Sequence, residues 1–264
     1  MYKLGILGVG NMGGNILDGI LKSSLYNKEE LAIYDINPLV IEKYTKLGLK
    51  VCKSEVDLVD NVETLILAIK PQMLNKIKDI KFNNKNILII SIVAGKTVSD
   101  IKEIFGSDKI IRVMPNTPSF INEGATAIAR SKNVTDNDLL KAKEIFSKIG
   151  TVEEIEDSLM NEIIPINGSM PAYLYYFVKC FVDKAVRNGI DENTAKRLAC
   201  QSVIGSAKMI LESGKDIDTL IKDVCSPKGA TLEGLSVLKE NNLEDIIDKA
   251  SDATINRAYE LSKL

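Results

Sequence analysis

The sequence contains no histidine. That absence removes every Ser-His-Asp and Cys-His pairing of nucleophile and base, and with it any metal site built on cysteine and histidine. The four cysteines, Cys52, Cys180, Cys200 and Cys225, are far apart and form no Cys-x-x-Cys pair, so no metal site is expected. Arginine is scarce as well: it supplies five of the 34 basic residues, and none precedes Arg112. Lysine is so abundant that a single lysine says little unless its position is special. The net charge of −2 leaves no basic footprint for nucleic acid, and no polybasic run marks a membrane surface. Long apolar runs are missing too. The longest block, residues 87–94, is far too short to span a bilayer. Gly8, Gly10 and Gly13 interrupt the only early apolar stretch, no basic segment precedes it, and no signal peptide is expected. These absences predict a reduced, cytoplasmic protein with neither nucleic acid nor membrane as partner.

What is present starts with a strand. Residues 3–8 are a short apolar run that ends in Gly8-Val9-Gly10-Asn11-Met12-Gly13, followed by Ile16, Leu17, Ile20 and Leu21 at helical spacing. A Gly-x-Gly-x-x-Gly is weak alone, since any glycine-rich turn can match it. Between a strand and a helix each glycine gains a physical reason. The first makes the tight turn, the second lets the backbone approach a pyrophosphate, and the third brings helix against strand. Residues 31–35 read as a second strand with Asp35 at its end, where a dinucleotide fold meets the adenosine ribose. A carboxylate there accepts hydrogen bonds from the ribose hydroxyls and repels a 2′-phosphate. With no arginine nearby to hold such a phosphate, NADH is favoured over NADPH. The alternative is a solvated aspartate opening the Asp35-Ile36-Asn37-Pro38 turn.

Further apolar strands are predicted at 64–69, 87–94, 109–114, 124–130 and 151–155, separated by helical or turn-rich segments, with a helix over 136–149. This alternation indicates a mostly parallel sheet covered on both faces, of Rossmann type, with ligands beyond the strand C-termini. After about residue 156 period-two runs vanish, and helices are predicted at 171–188, 192–213, 231–240 and 243–263. The chain therefore divides into an α/β dinucleotide-binding domain, 1–156, and an all-α domain, 157–264. The helix at 171–188 is apolar nearly all round through Tyr173, Leu174, Tyr176, Phe177, Cys180, Phe181 and Val182. Such a helix is expected to be buried, in its own domain or against another subunit.

Val224-Cys225-Ser226-Pro227-Lys228-Gly229-Ala230-Thr231 stops one helix and starts another. Pro227 disfavours helix for Ser226, Gly229 permits a turn, and Leu232, Leu235 and Leu238 resume helical spacing. A helix start exposes N–H groups and the positive end of a dipole, which suits a small anion such as a carboxylate. The hydroxyls of Ser226 and Thr231 flank it.

Ala68-Ile69-Lys70-Pro71, Arg112-Val113-Met114-Pro115-Asn116-Thr117-Pro118, Gly168-Ser169-Met170-Pro171-Ala172-Tyr173 and Ser226-Pro227-Lys228-Gly229-Ala230-Thr231 follow the glycine loop in that order. Together, over essentially the whole chain, they resemble pyrroline-5-carboxylate reductase, which makes proline. The resemblance implies a helical C-terminal dimerisation domain, with dimers that in the family often assemble into decamers. It implies that Leu7, Gly8, Val9, Gly10, Asn11 and Met12 cradle the phosphates of NADH or NADPH. Ala68, Ile69, Lys70 and Pro71, with Ile92 and Ala94, would line the cofactor. Ser226, Gly229, Ala230 and Thr231 would hold the carboxylate of the small-molecule substrate. Thr231 is the expected catalytic residue, placing the ring nitrogen of a cyclic imine by hydrogen bonding. Reduction of an imine that binds already protonated needs orientation and charge placement more than a strong acid, which agrees with the missing histidine.

Four residues depart from the family's pattern: Met170 and Lys228 stand where glycine is usual, Lys179 where an acid is frequent, and Glu55 where asparagine is frequent near the cofactor. Lys179 supports a rival reading, an NAD-dependent reductase of another cyclic imine or of a β-hydroxy acid, since a buried lysine with a lowered pKa can act as general acid–base. Its plainer reading is a lysine that snorkels from a buried helix. Met170 and Lys228 motivate a second rival, a catalytically weak paralogue with a binding or regulatory role.

Overall fold

A computed structural model describes residues 1–262 of the chain. They form two compact units, Met1–Ser169 together with the chain from Ile255 onward, and Met170–Thr254.

In the first unit the order is β1 (Tyr2–Leu7), α1 (Asn11–Ser23), β2 (Leu31–Tyr34), α2 (Pro38–Lys46), β3 (Lys50–Val51), α3 (Glu55–Val59), β4 (Val62–Leu67) and α4 (Pro71–Ile77). Then come β5 (Leu88–Ser91), α5 (Val98–Phe105), β6 (Ile110–Met114), β7 (Gly124–Arg130), α6 (Asp136–Phe146) and β8 (Gly150–Glu154). One sheet runs β3-β2-β1-β4-β5-β6-β7-β8. The strands are apolar at consecutive positions because both faces are covered. Ile6, Ile33, Ile66, Ile90 and Ile111 pack with Ile16, Leu17 and Ile20 of α1 and with Leu139, Ala142 and Phe146 of α6. On the opposite face Leu7, Leu65, Leu67 and Ile89 pack with Leu58 of α3, Leu74 of α4 and Phe105 of α5. Strand order reverses between β1 and β4, which opens a crevice beyond their C-terminal ends, the usual place for a ligand on such a sheet.

Three features differ from the sequence reading. The expected strands at 64–69 and 87–94 end early, at Leu67 and Ser91. The Ala68 N–H still reaches the Leu7 carbonyl at 2.9 Å, and the Ile92 N–H the Leu67 carbonyl at 3.0 Å. Pro71 then opens a helix, and Gly95 turns the chain at φ +72°. Apolar composition marks the buried run but not where pairing stops. Second, β7 runs antiparallel to β6 and parallel to β8. The connection 115–123 is too short for a crossover helix, so the chain turns straight back. Third, β3 is only a two-residue edge strand, with no pattern to reveal it.

Segment 157–169 is packed on the sheet. Met160 and Ile163 lie against Ala127 and Ala129. Asn116 donates to the Asn167 carbonyl at 3.1 Å and accepts from the Ala125 N–H at 2.9 Å, while Asn167 donates to the Met114 carbonyl at 2.7 Å. The compact first unit therefore continues past residue 156, where the sequence pattern changes.

The helices that follow are α7 (Met170–Arg187), α8 (Glu192–Glu212), α9 (Ile217–Val224), α10 (Ala230–Glu240) and α11 (Leu243–Ser262). Helix α9 is the run expected to stop ahead of Pro227, and Lys263, the predicted end of the last helix, lies outside the described residues. The expectation that the first of these helices is buried in its own domain fails. Only Pro171 of α7 and Ala195 of α8 are buried, and none of α9 or α10. Tyr176 is 71% exposed and Phe181 56%. No helix among the described residues is long and apolar enough to cross a membrane.

Candidate active site

The crevice is built by the turn after β1. Gly8 takes φ +89°, a conformation side chains disfavour, and a Cβ there would meet the Ala68 carbonyl oxygen at 2.8 Å. A Cβ on Gly13 would stand 2.1 Å from the Gly8 carbonyl oxygen, so helix α1 can approach β1 only as glycine. Gly10 is different: a Cβ would meet nothing within 4 Å. Its open side and the uncapped start of α1 form a cradle where main-chain N–H groups can meet an anion. Charge, open space and donors fit the phosphates of a dinucleotide.

Beside the cradle is a cavity of about 330 Å³. Seven expected cofactor residues line it: Leu7, Gly8, Gly10 and Asp35 from one side, Ala68, Ile69 and Lys70 from the other. Val9, Asn11, Met12 and Pro71 flank it in the same turns without lining it. Ile92 and Ala94 follow β5 and do not line it. Asp35 is held by the main chain: its Oδ2 accepts from the Val9 N–H at 2.6 Å and its Oδ1 from the Asn37 N–H at 2.8 Å. The carboxylate thus ties the glycine loop to the end of β2. Sequence reasoning missed Tyr34, Ile36, Met73 and Ile77, which also line the cavity, and noted Glu55 only as a departure. The one-turn spacing of Met73 and Ile77 on α4 was the available signal.

In the second unit, Ser226, Gly229, Ala230 and Thr231 sit together at the start of α10. The Gly229 N–H returns to the Ser226 carbonyl at 2.9 Å, closing a turn with Pro227 and Lys228 at its centre. Lys228 has φ +60°, the left-handed region that a type II turn requires and that glycine fills best. A Cβ on Gly229 would lie 2.3 Å from Ser226 Oγ, so the serine hydroxyl is seated directly over the glycine. No side chain caps α10, and the N–H groups of Ala230 and Thr231 have no partner among the described residues. The expected turn is formed, with a serine hydroxyl inside it.

Two other reactive groups are quiet. Lys179 is exposed and ion-paired with Asp183, and that hydrogen-bonded partner raises its pKa. A general base at neutral pH needs the opposite shift, so the main support for a hydroxyacid-type reductase falls away. Burial pushes the Cys52 thiol up to about 11, with Asp57 adding to the shift, which leaves it unreactive at neutral pH.

A pyrroline-5-carboxylate reductase from Methanosarcina acetivorans is 35% identical to this chain, over 99% of the chain and 98% of that protein. The chain belongs to the pyrroline-5-carboxylate reductase family. The family model for pyrroline-5-carboxylate reductase dimerisation matches residues 157–261, and the one described as NADP oxidoreductase, coenzyme F420-dependent, matches residues 3–95. The solved reductase of Coxiella burnetii superposes with a TM-score of 0.89 at 30% identity, covering 100% of this chain and 99% of that one. That of Plasmodium falciparum, with NADP bound, gives 0.85 at 30% identity, covering 99% and 98%. The likeness spans both units, and the motifs that suggested the reductase family are the ones that build the cavity, the 157–169 packing and the α10 turn.

Proposed function

We propose that the protein reduces 1-pyrroline-5-carboxylate to L-proline, the last chemical step of making that amino acid. What carries the reading is the Ser226–Thr231 turn, with a hydroxyl and unpartnered N–H groups at a helix start, in a chain of this family. When bound, the nicotinamide cofactor supplies the hydride, which goes to the imine carbon. Residues Leu7 to Met12 cradle its phosphates, Asp35 stands at the ribose end, and Ala68 to Pro71 with Ile92 and Ala94 line the rest. Ser226, Gly229, Ala230 and Thr231 hold the substrate carboxylate, and the Thr231 hydroxyl positions the ring nitrogen. The substrate enters protonated on nitrogen, so hydride transfer leaves the neutral ring amine and needs no imidazole. Orientation and fixed dipoles supply the catalysis.

The ribose end of the crevice favours NADH over NADPH, because carboxylates rather than an arginine line it. Residues 1–156 form the dinucleotide-binding part, and residues 157–264 the substrate-binding and dimerisation part. The assembly is a homodimer that can associate further into decamers, and it works in the cytoplasm. The test is direct: purified protein with pyrroline-5-carboxylate, following NADH and NADPH oxidation separately. Turnover is expected with both and faster with NADH; no turnover with either cofactor removes the proposal. Thr231→Ala should lower kcat by about 10²-fold while NADH affinity stays near wild type. An unchanged kcat would dismiss Thr231.

A further inference from the structure

The cavity beside the glycine loop contains two carboxylates in unlike situations. Asp35 has both oxygens committed to main-chain N–H groups, at 2.6 and 2.8 Å. Those two dipoles offset part of its charge and hold it rigid. Glu55 lines the same cavity from the start of α3, where Ser54 caps the helix by accepting from the Asp57 N–H. Its side chain is half-buried and forms no hydrogen bond or ion pair among the described residues. A partly buried carboxylate without partners is unfavourable unless something supplies donors. Tyr34 lines the same cavity: burial pushes its phenol pKa up, and the charges of Glu55 and then Asp35 push it further. Among the described residues no arginine lines the cavity, and its one cationic side chain is Lys70.

We propose that Glu55 is the residue that reads the adenosine ribose, accepting its hydroxyls and repelling a 2′-phosphate, while Asp35 is a positioning residue that fixes the glycine loop. The proposal rests on the cavity being the dinucleotide site. It separates two roles that sequence reasoning gave to Asp35 alone. Discrimination against NADPH then belongs to the carboxylate whose charge is uncompensated, and loop geometry to the one bonded to Val9.

Binding titrations of NADH and NADPH, followed by cofactor fluorescence without imine present, test both halves. They are paired with calorimetric titrations of 5′-ADP and 2′,5′-ADP. Glu55→Gln and Glu55→Asn should shift the ratio of the NADH and NADPH Kd values about tenfold toward NADPH, with the same shift for the two ADP forms and an unchanged Tm. Asp35→Asn should weaken NADH and NADPH by a similar factor and leave the ratio where it was. A ratio that stays within about twofold in both Glu55 variants, while wild-type protein binds NADH, overturns the proposal alone. So does an Asp35→Asn variant that carries the whole shift in ratio. Wild-type protein that binds neither dinucleotide overturns the site and the proposal together.

Discussion

Gly10 and Gly13 belong to one loop, and the structure gives them opposite reasons for being glycine. At Gly13 a Cβ would sit 2.1 Å from the Gly8 carbonyl oxygen, inside the protein. At Gly10 it would point into open space at the mouth of the cradle. Gly13→Ala should therefore destabilise the fold itself, by about 1–3 kcal/mol as overpacking against backbone does. Gly10→Ala should melt like wild type and lose dinucleotide affinity by about tenfold or more. Thermal melts and cofactor titrations on the two variants separate these cases, and equal melting temperatures would contradict the packing argument. The same reasoning applies at Lys228, which holds φ +60° without being glycine. Lys228→Gly should stabilise the protein by about 1 kcal/mol in urea titrations, whereas Lys228→Gln, which keeps the strain, should not. The glycine loop, Asp35 and the Ser226–Thr231 turn were legible because each joins a residue type to a change of local pattern. The bond from Val9 to Asp35 was not, since nothing local to either residue announces a partner across the crevice.

Element boundaries follow from chemistry that apolar patterning does not record. Buried strands read as continuous apolar runs, yet Ala68 and Ile69 lie beyond the end of β4 and line the cavity. Capping residues leave a signature at helix starts, although the one that opens α9 went unread. Asp191 accepts from the Thr194 N–H at 2.8 Å and Asp216 from the Thr219 N–H at 2.8 Å. These hydrogen bonds from Thr194 and Thr219 hold both carboxyls below their ordinary value of 3.8. A folded pKa below the unfolded one means the caps contribute fully above the ordinary value. The contribution disappears as pH falls through the depressed folded value. Asp216→Ala should thus lower the melting temperature near neutral pH, and the gap from wild type should narrow as the pH is taken into acid below the ordinary value of 3.8. Circular dichroism melts at the two pH values check this, and a gap that persists in acid would mean the cap acts without its charge. The antiparallel return of β7 could have been read from the short 115–123 connection; the two-residue β3 had no signal to offer.

The two units differ in how completely one chain builds them. The first has a core on each face of its sheet, while the second buries almost nothing among α7, α8, α9 and α10. Aromatic side chains as exposed as Tyr176 at 71% and Phe181 at 56% are not sustained on a soluble surface without a partner. The segment that carries them lies within the match to the family's dimerisation model, residues 157–261. A second copy laying the same helices against these faces would supply the missing core, as obligate dimers do. Phe181→Glu places a charge where that interface should be dry, a change of several kcal/mol, so the dimer Kd should weaken by about 10²–10³-fold. Light scattering across a dilution series should then show monomer at concentrations where wild type stays associated. The helical unit should lose cooperative melting in the variant, whereas NADH titration should still find its site, because the crevice after β1 is built from the first unit's own core. An associated variant with wild-type melting would show that α7 faces something other than a second copy of this chain.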